Sequence, residues 1–348
     1  MRMQLVIALI AAAVTVAGCA DDSSPSAEQS AQPEPSATAT ESPTAGPIES
    51  QQLPPLPEGW RWESYRDVVV GVPGDWAYTG GRISDWCAAE GKDPKPGVGR
   101  PGAVLTIGCP QPSPGEPDPG SLLKNGGTFV AFASTQQNLK TEGDRDVLTL
   151  GSTAVVIQAP EALRAQIAET VQQRNDADHN GCPITHPISS DPSWRPSPVD
   201  PAVFEDVTSM TACRYDLRTA SNEPLPADAP TLVSSVRVSG AKARSTAAAI
   251  AASPTGGGPD DPSSCTEETW YGDEAIVVRL DRPDGTPEYL VVRYSGCNHN
   301  GIDDGTVVHP LTVDNARPFF SGSNWISSFS GPSSKMEIIH PESATAAK

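Results

Sequence analysis

The cysteines constrain the fold of this chain more than any other feature of its sequence. There are seven among 348 residues, and the first of them, Cys19, directly follows an apolar N-terminal segment. The others are Cys87, Cys109, Cys182, Cys213, Cys265 and Cys297. An even number of cysteines in an exported chain indicates disulfide bonds, which restrict the ways in which the chain can fold.

The sequence alone does not choose among the many possible pairings of six cysteines. We predict that nearest neighbours pair, giving Cys87–Cys109, Cys182–Cys213 and Cys265–Cys297. Each closed loop would then add roughly 3–4 kcal/mol to the free energy of unfolding. A structural zinc site is the alternative, but the sequence contains no Cys-x-x-Cys spacing of the kind that such sites use.

The N-terminal segment predicts export. Arg2 precedes an uncharged apolar run at residues 5–14, and Val16-Ala17-Gly18-Cys19 follows it. A charged start, a short apolar core and small residues at the cut are typical of a secretory signal. The run is shorter than the roughly 20 residues of a membrane-spanning helix. An ordinary signal with a chance cysteine, or a short membrane anchor, are the alternatives.

The order aliphatic-Ala-Gly-Cys resembles the lipobox of bacterial lipoproteins. With the Ser/Pro-rich stretch and the spaced cysteines that follow, the chain resembles actinobacterial extracytoplasmic lipoproteins of uncharacterised function. The resemblance implies that residues 1–18 are removed and that Cys19 carries a diacylglycerol. It also implies a location at the outer face of the cell membrane, with lipid as the contact to the bilayer. It carries over no catalytic residue.

Composition divides the remaining chain into segments. Residues 19–57 are rich in Ser, Pro, Ala, Thr, Glu and Gln and have few large apolar side chains, which predicts a disordered tether. We expect a first module at residues 58–177 and a second at 178–335, with a polar, turn-rich boundary between them. Residues 336–348 are expected to form a C-terminal tail.

The patterns within these modules predict an α+β fold. Runs rich in β-branched residues predict strands, and the spacing of Leu163, Ile167 and Val171 predicts a helix that starts near Pro160. A second helix is predicted at residues 240–252. Asp284-Gly285 between two β-rich runs is a strong hairpin signal. We therefore expect two small modules of mainly antiparallel strands with about one long helix each, stapled by disulfides.

The charge of the chain restricts its partners. The formal net charge is −19, and so acidic a surface repels phosphate backbones. Nucleic acid is therefore not expected as a partner. The 36 prolines and 30 glycines favour turns and long surface loops over a helical bundle. The oligomeric state is not predicted.

One loop offers candidate metal ligands. His299, Asp303, Asp304 and His309 lie close together in a segment rich in Asn, Asp and Gly. Such residues bind divalent metals in some proteins, but they also form ordinary tight turns. We expect the turn and no cofactor, with a divalent metal as the alternative. The sequence contains none of the catalytic motifs that we sought, and no catalytic residue is assigned.

Aromatic residues provide the other functional signal. They crowd the start of the first module: Trp60, Trp62, Tyr65, Trp76, Tyr78 and Trp86. Such rings stack on sugars in some proteins, although a small module also needs them in its core. The leading hypothesis is a non-catalytic binding or interaction module of the cell envelope, with a glycan or an envelope protein as partner. The alternative is a cell-wall hydrolase or other envelope enzyme with an unrecognised site, for which dependence on a metal is one option.

Overall fold

The computed structural model describes residues 53–80, 96–101, 127–135, 139–217, 228–326 and 333–339. The signal segment, Cys19, Cys87, Cys109 and Trp86 lie outside the described residues, as does nearly all of the predicted tether. The described residues belong to one compact unit. In the described ranges, no helix has both the length and the apolar character needed to cross a membrane.

The described ranges contain helices and strands in the proportions expected of an α+β fold. The helices are α1 (Glu161–Thr170), α2 (Gly240–Ala251), α3 (Val313–Ala316) and α4 (Ser333–Ile339). The strands are β1 (Trp60–Tyr65), β2 (Val68–Pro73), β3 (Ala77–Gly80), β4 (Gly97–Arg100), β5 (Phe129–Ser134), β6 (Arg145–Leu150), β7 (Thr153–Gln158), β8 (Gln172–Gln173), β9 (Ser209–Asp216), β10 (Leu232–Ser239), β11 (Glu274–Asp281), β12 (Glu288–Arg293), β13 (Gly301–Asp303) and β14 (Val308–His309).

These strands form sheets in the orders β1-β2-β8, β3-β4-β5-β7-β6 and β10-β9-β11-β12-β13-β14. Most neighbouring strands are antiparallel, as the sequence predicts, and the α+β class is confirmed. The exceptions among the described strands are the parallel pairs β3–β4 and β4–β5. Parallel strands need a crossover connection between them. Such a connection has no local turn signal, so the sequence pattern does not predict these pairs.

The predicted hairpin is confirmed in the largest sheet. Strands β11 and β12 pair in antiparallel register from Ala275–Arg293 to Leu280–Glu288. At the turn, the N–H of Gly285 donates to the carbonyl of Arg282 at 3.1 Å, and Gly285 has a φ of +76°. Glycine adopts this left-handed conformation without the steric cost that a side chain adds.

One face of the largest sheet packs on helix α2. Alternate strand residues, among them Met210, Ile276 and Val278, share a hydrophobic core with Ala247 and Ile250 of the helix. The period of two along each strand places these side chains on one face and their neighbours on the other. The second face carries the functional candidates described below.

The second face is partly covered by the chain that precedes β9. A disulfide joins Cys182 of this segment to Cys213 of β9, and both residues are buried with Ile188 and Tyr215. A second disulfide joins Cys265 to Cys297. Two of the three predicted pairings are therefore confirmed, while Cys87–Cys109 lies outside the described residues.

The two predicted modules share contacts in the structure. The N–H of Arg66 donates to the carbonyl of Leu232 at 2.5 Å, and the Ser64 hydroxyl donates to the Asp178 carboxylate at 2.8 Å. Val233 of β10 also belongs to the apolar core of the first part of the chain, with Val68 and Phe132. The edge of the largest sheet is therefore fixed by residues from the other half of the chain.

Helix α4 begins near the predicted start of the C-terminal tail and docks on the same sheet. Lys335 is fully buried, and its ammonium donates to the carbonyls of Tyr294 at 3.3 Å and Gly296 at 2.5 Å. Burial lowers the pKa of this lysine to about 8. The helix thereby supports the chain that leads from β12 into the loop at residues 297–309.

Candidate functional site

Asp303, one of the predicted metal ligands, is a buried carboxylate held by two arginines. It is 1% exposed, and Arg195 contacts both of its carboxylate oxygens, at 2.8 and 2.7 Å. Arg293 approaches the same carboxylate at 3.4 Å. Burial alone would raise the pKa of Asp303, but the hydrogen bonds from Arg195 and Gly305 and the two arginine charges lower it. The Asp303 carboxylate is therefore ionised, and its charge is balanced by the two arginines. It anchors the loop.

Asp304 and His309 form a second, separate pair. One Asp304 oxygen accepts the N–H groups of Thr306 at 2.8 Å and Val307 at 2.7 Å. The other oxygen lies 3.2 Å from Nε2 of His309. The opposite nitrogen of this ring lies 3.2 Å from the carbonyl of Ser253, so the pair joins the turn between β13 and β14 to the end of helix α2.

The predicted ligands therefore do not converge. Asp303 faces two arginines, Asp304 and His309 close a turn, and His299 is exposed elsewhere in the loop. No group of three or more His, Cys, Asp or Glu side chains in the described ranges is arranged to hold a metal ion. The same Asn, Asp and Gly residues that suggested a metal here make the hydrogen bonds of a tight turn.

His299 stands out because it is exposed and its backbone is in the left-handed region, with a φ of +58°. Its ring stacks on Tyr271 with the centroids 4.9 Å apart and an interplanar angle of 16°, and the Trp270 centroid lies 5.6 Å away at an interplanar angle of 67°. A left-handed conformation costs a side-chain-bearing residue about 1–2 kcal/mol. We call Trp270, Tyr271 and His299 the aromatic platform.

Close packing of two backbone segments fixes this platform. The disulfide Cys265–Cys297 joins them, and the N–H of Asn298 donates to the carbonyl of Trp270 at 3.1 Å. A Cβ on Gly296 would lie 2.0 Å from the same carbonyl oxygen, so only glycine permits this approach. The Asn298 side chain also accepts the N–H of His299 at 2.9 Å. The exposed imidazole is therefore presented by a braced loop.

Arginine completes the surroundings of the platform. The guanidinium of Arg293 lies 5.4 Å from the ring centroid of Tyr271, within the range of a cation–π interaction. The same guanidinium donates to the carbonyl of Trp194 at 2.5 Å and pairs with Asp303. The buried charges found in the predicted metal loop thus orient one ring of the neighbouring aromatic surface.

The aromatic residues that the sequence analysis singled out have other positions. Tyr65 and Trp76 are buried in the core of the first part of the chain, and Trp60 packs against that core. Trp62 and Tyr78 are half-buried. The two rings beside His299, those of Trp270 and Tyr271, are half-buried as well, and the sequence pattern did not single them out. Their adjacency, five and six residues after Cys265, is the only local signal, and it does not reveal His299 as their neighbour.

This geometry suits recognition of a ring by stacking. The platform offers an exposed imidazole and a half-exposed indole on a surface that is already ordered, and aromatic faces provide contact area with a defined orientation. The carboxylate of Asp303 is occupied by two arginines, and that of Asp304 by backbone amides and His309. Comparisons of the chain with protein-family models, curated proteins and solved structures found no match, so the assignment of a function rests on this chain's own residues.

Proposed function

We propose that this chain is a lipoprotein of the cell envelope, held at the extracytoplasmic face of the membrane by lipid on Cys19. Its globular part acts as a non-catalytic binding module at the end of a flexible tether. The proposed location is supported by the apolar run and Val16-Ala17-Gly18-Cys19. The tether is supported by the Ser/Pro-rich composition of residues 19–57.

The observation that carries the binding role is the aromatic platform. Its imidazole is exposed in a left-handed backbone conformation and braced by a neighbouring disulfide. Strained backbone of this kind concentrates at functional sites, and a preordered surface loses little conformational entropy on binding. A sugar ring of an envelope glycan has the apolar face and polar rim that suit such a surface, and we take it as the ligand class.

The test uses full-length protein in detergent and insoluble cell-wall polysaccharide as the probe. We expect Trp270→Ala and His299→Ala each to weaken co-sedimentation about tenfold, equivalent to roughly 1.4 kcal/mol, because each removes one ring of the platform. Trp325→Ala is the matched control, since Trp325 is also an exposed tryptophan, at 40% exposure.

Thermal unfolding of each variant checks that the fold is kept. Equal co-sedimentation of the parent and both platform variants would contradict the glycan proposal. Binding by the parent that is lost equally in the Trp325 control would also contradict it, because the loss would then not depend on the platform.

A further inference from the structure

A second polar surface crosses four strands of the largest sheet. In the strand order β10-β9-β11-β12, the residues Arg237, Thr211, Arg279 and Tyr289 are successive register partners. Because register partners on neighbouring strands point to the same face, these side chains form one line across the sheet. We call them the arginine row. With strands about 4.8 Å apart, the row is roughly 14 Å long.

The ends of this row are open to solvent. The Arg237 side chain is 46% exposed and Tyr289 is 38% exposed. Arg279 is 24% exposed, while Thr211 is fully buried beneath the two guanidinium groups. The row lies on the face opposite helix α2, just beyond the part that the Cys182 segment covers. The row therefore combines exposed positive charge with a buried residue, Thr211, beneath it.

Asp281 fixes both guanidinium groups. Its Oδ1 accepts from Nε of Arg279 at 2.8 Å, and its Oδ2 lies 3.0 Å from Nη2 of Arg237. The Ser209 hydroxyl donates to the same Oδ2 at 2.8 Å. Two cations thus share one carboxylate, and this carboxylate already has a partner for each oxygen. These three side chains together carry a net positive charge, and Arg237 is the more exposed of the two arginines.

The chain before β9 forms a wall beside the row. The carbonyl of Gly181 accepts from Nη1 of Arg279 at 3.2 Å. Gly181 has a φ of +79°, and a Cβ there would lie 3.0 Å from the same nitrogen, so glycine permits the close approach. The adjacent disulfide Cys182–Cys213 ties this wall to β9.

Asp178, an acid of this wall, does not compete for the row. Asp178 is 1% exposed, and it accepts hydrogen bonds from the Ser64 hydroxyl and the Ser235 hydroxyl. The N–H groups of Asn180 and Cys182 each donate to its other oxygen at 2.9 Å. Its carboxylate is therefore turned into the protein and satisfied there.

We propose that the arginine row binds an oxyanion, a carboxylate or a phosphate, carried on a ring that lies against Tyr289. Guanidinium groups bind both oxyanions through paired hydrogen bonds. Nη2 of Arg237 contacts Ser209 at 2.6 Å and Asp281 at 3.0 Å. Because Asp281 lies on β11, this contact brings the exposed guanidinium to the strand beside Tyr289. The chain as a whole has a net charge of −19. An anion would therefore bind at this local positive site rather than elsewhere on the surface. The inference stands apart from the aromatic platform, since it uses none of the platform's residues.

The test titrates full-length protein in detergent with three hexoses by calorimetry. The probes are glucose 6-phosphate, glucuronic acid and neutral glucose. We expect at least one anionic sugar to bind at least tenfold more tightly than glucose, with affinity falling as salt rises because charge contributes. Binding of only one anionic sugar identifies phosphate or carboxylate as the preferred group, and both are consistent with the proposal.

Variants locate the binding. Arg237→Gln changes a half-exposed side chain and should weaken anion binding about tenfold or more, as should Tyr289→Ala. Arg244→Gln is the matched control, because Arg244 is exposed on helix α2 at the opposite face of the sheet. Absence of anion preference in the parent would overturn the proposal, as would unchanged binding in Arg237→Gln or equal loss in the Arg244 control. Trp270→Ala should leave this binding unchanged, which separates failure here from failure of the glycan proposal.

Discussion

His186 shows how packing sets the chemistry of a single residue. Its ring lies 4.7 Å from that of Trp194 and 5.1 Å from that of Tyr215. Its Nδ1 accepts the N–H of Ile188 at 3.1 Å, which caps a short helical turn. Burial disfavours the charged imidazolium and lowers the pKa of His186 from 6.5 to about 4. The neutral ring therefore belongs to the structure that holds the Cys182 segment on the sheet.

This pKa predicts a specific loss of stability in acid. Because the folded pKa lies below that of the unfolded chain, the contribution is complete above pH 6.5 and is lost as the pH falls from 6.5 towards 4. The difference between these two pKa values corresponds to roughly 3 kcal/mol of unfolding free energy. We expect His186→Gln to lose less unfolding free energy than the parent between pH 7 and pH 4.5, measured by urea denaturation. Parallel curves for the two proteins would contradict the prediction.

Asp303, Asp304 and His309 show a different lesson at the same scale. Each has a chemistry suited to catalysis or metal binding, yet each is used to close or anchor a turn. What decides the role is the partner, and Arg195, which contacts both oxygens of Asp303, lies 108 residues away from it. Residue type and local spacing carry no information about such a partner.

At the scale of elements, the two described disulfides differ in their surroundings. Cys182 is fully buried and Cys213 is 4% exposed, with both in an apolar cluster under the segment that covers the sheet. Cys265 and Cys297 are half-buried beside the aromatic platform. Thiol–disulfide exchange requires access of a thiolate to a sulfur atom, so the two bonds should respond differently to a reductant.

We expect dithiothreitol under native conditions to reduce Cys265–Cys297 well before Cys182–Cys213. Alkylation at successive times, followed by peptide mapping, measures each bond separately. In denaturant, where both bonds are exposed, the difference should largely disappear, which is the control. Simultaneous reduction of both bonds in the folded protein would show that burial does not protect Cys182–Cys213.

At the scale of the whole molecule, the lipid anchor is a prediction of the sequence alone. Acyl chains gain about 0.8 kcal/mol per buried CH₂, and two chains give stable anchoring. We expect the parent to incorporate labelled fatty acid in cells and Cys19→Ser to incorporate none. Cys265→Ser should be labelled like the parent, because it removes a cysteine that pairs within the globular part. Label retained in Cys19→Ser would contradict the anchor.

The parts of the fold that the sequence determined are those fixed by neighbouring residues. The β11–β12 hairpin follows from Asp284-Gly285 between two β-rich runs, and helices α1 and α2 follow from local periodicity and helix-forming residues. The pairing of neighbouring cysteines held for the two described disulfides. Turn conformation, strand alternation and helix periodicity operate over a few residues, so the order of the chain is enough to reveal them.

Only the tertiary structure decided which polar and aromatic residues meet and which remain exposed. The aromatic platform brings Trp270 and Tyr271 to His299 from a separate loop, and the arginine row depends on the register of four strands. Tyr65 and Trp76, which looked like candidates for sugar stacking, are core residues. Exposure and ion pairing are set by contacts between distant segments, and the energies of those contacts are properties of the folded chain rather than of any short stretch of its sequence.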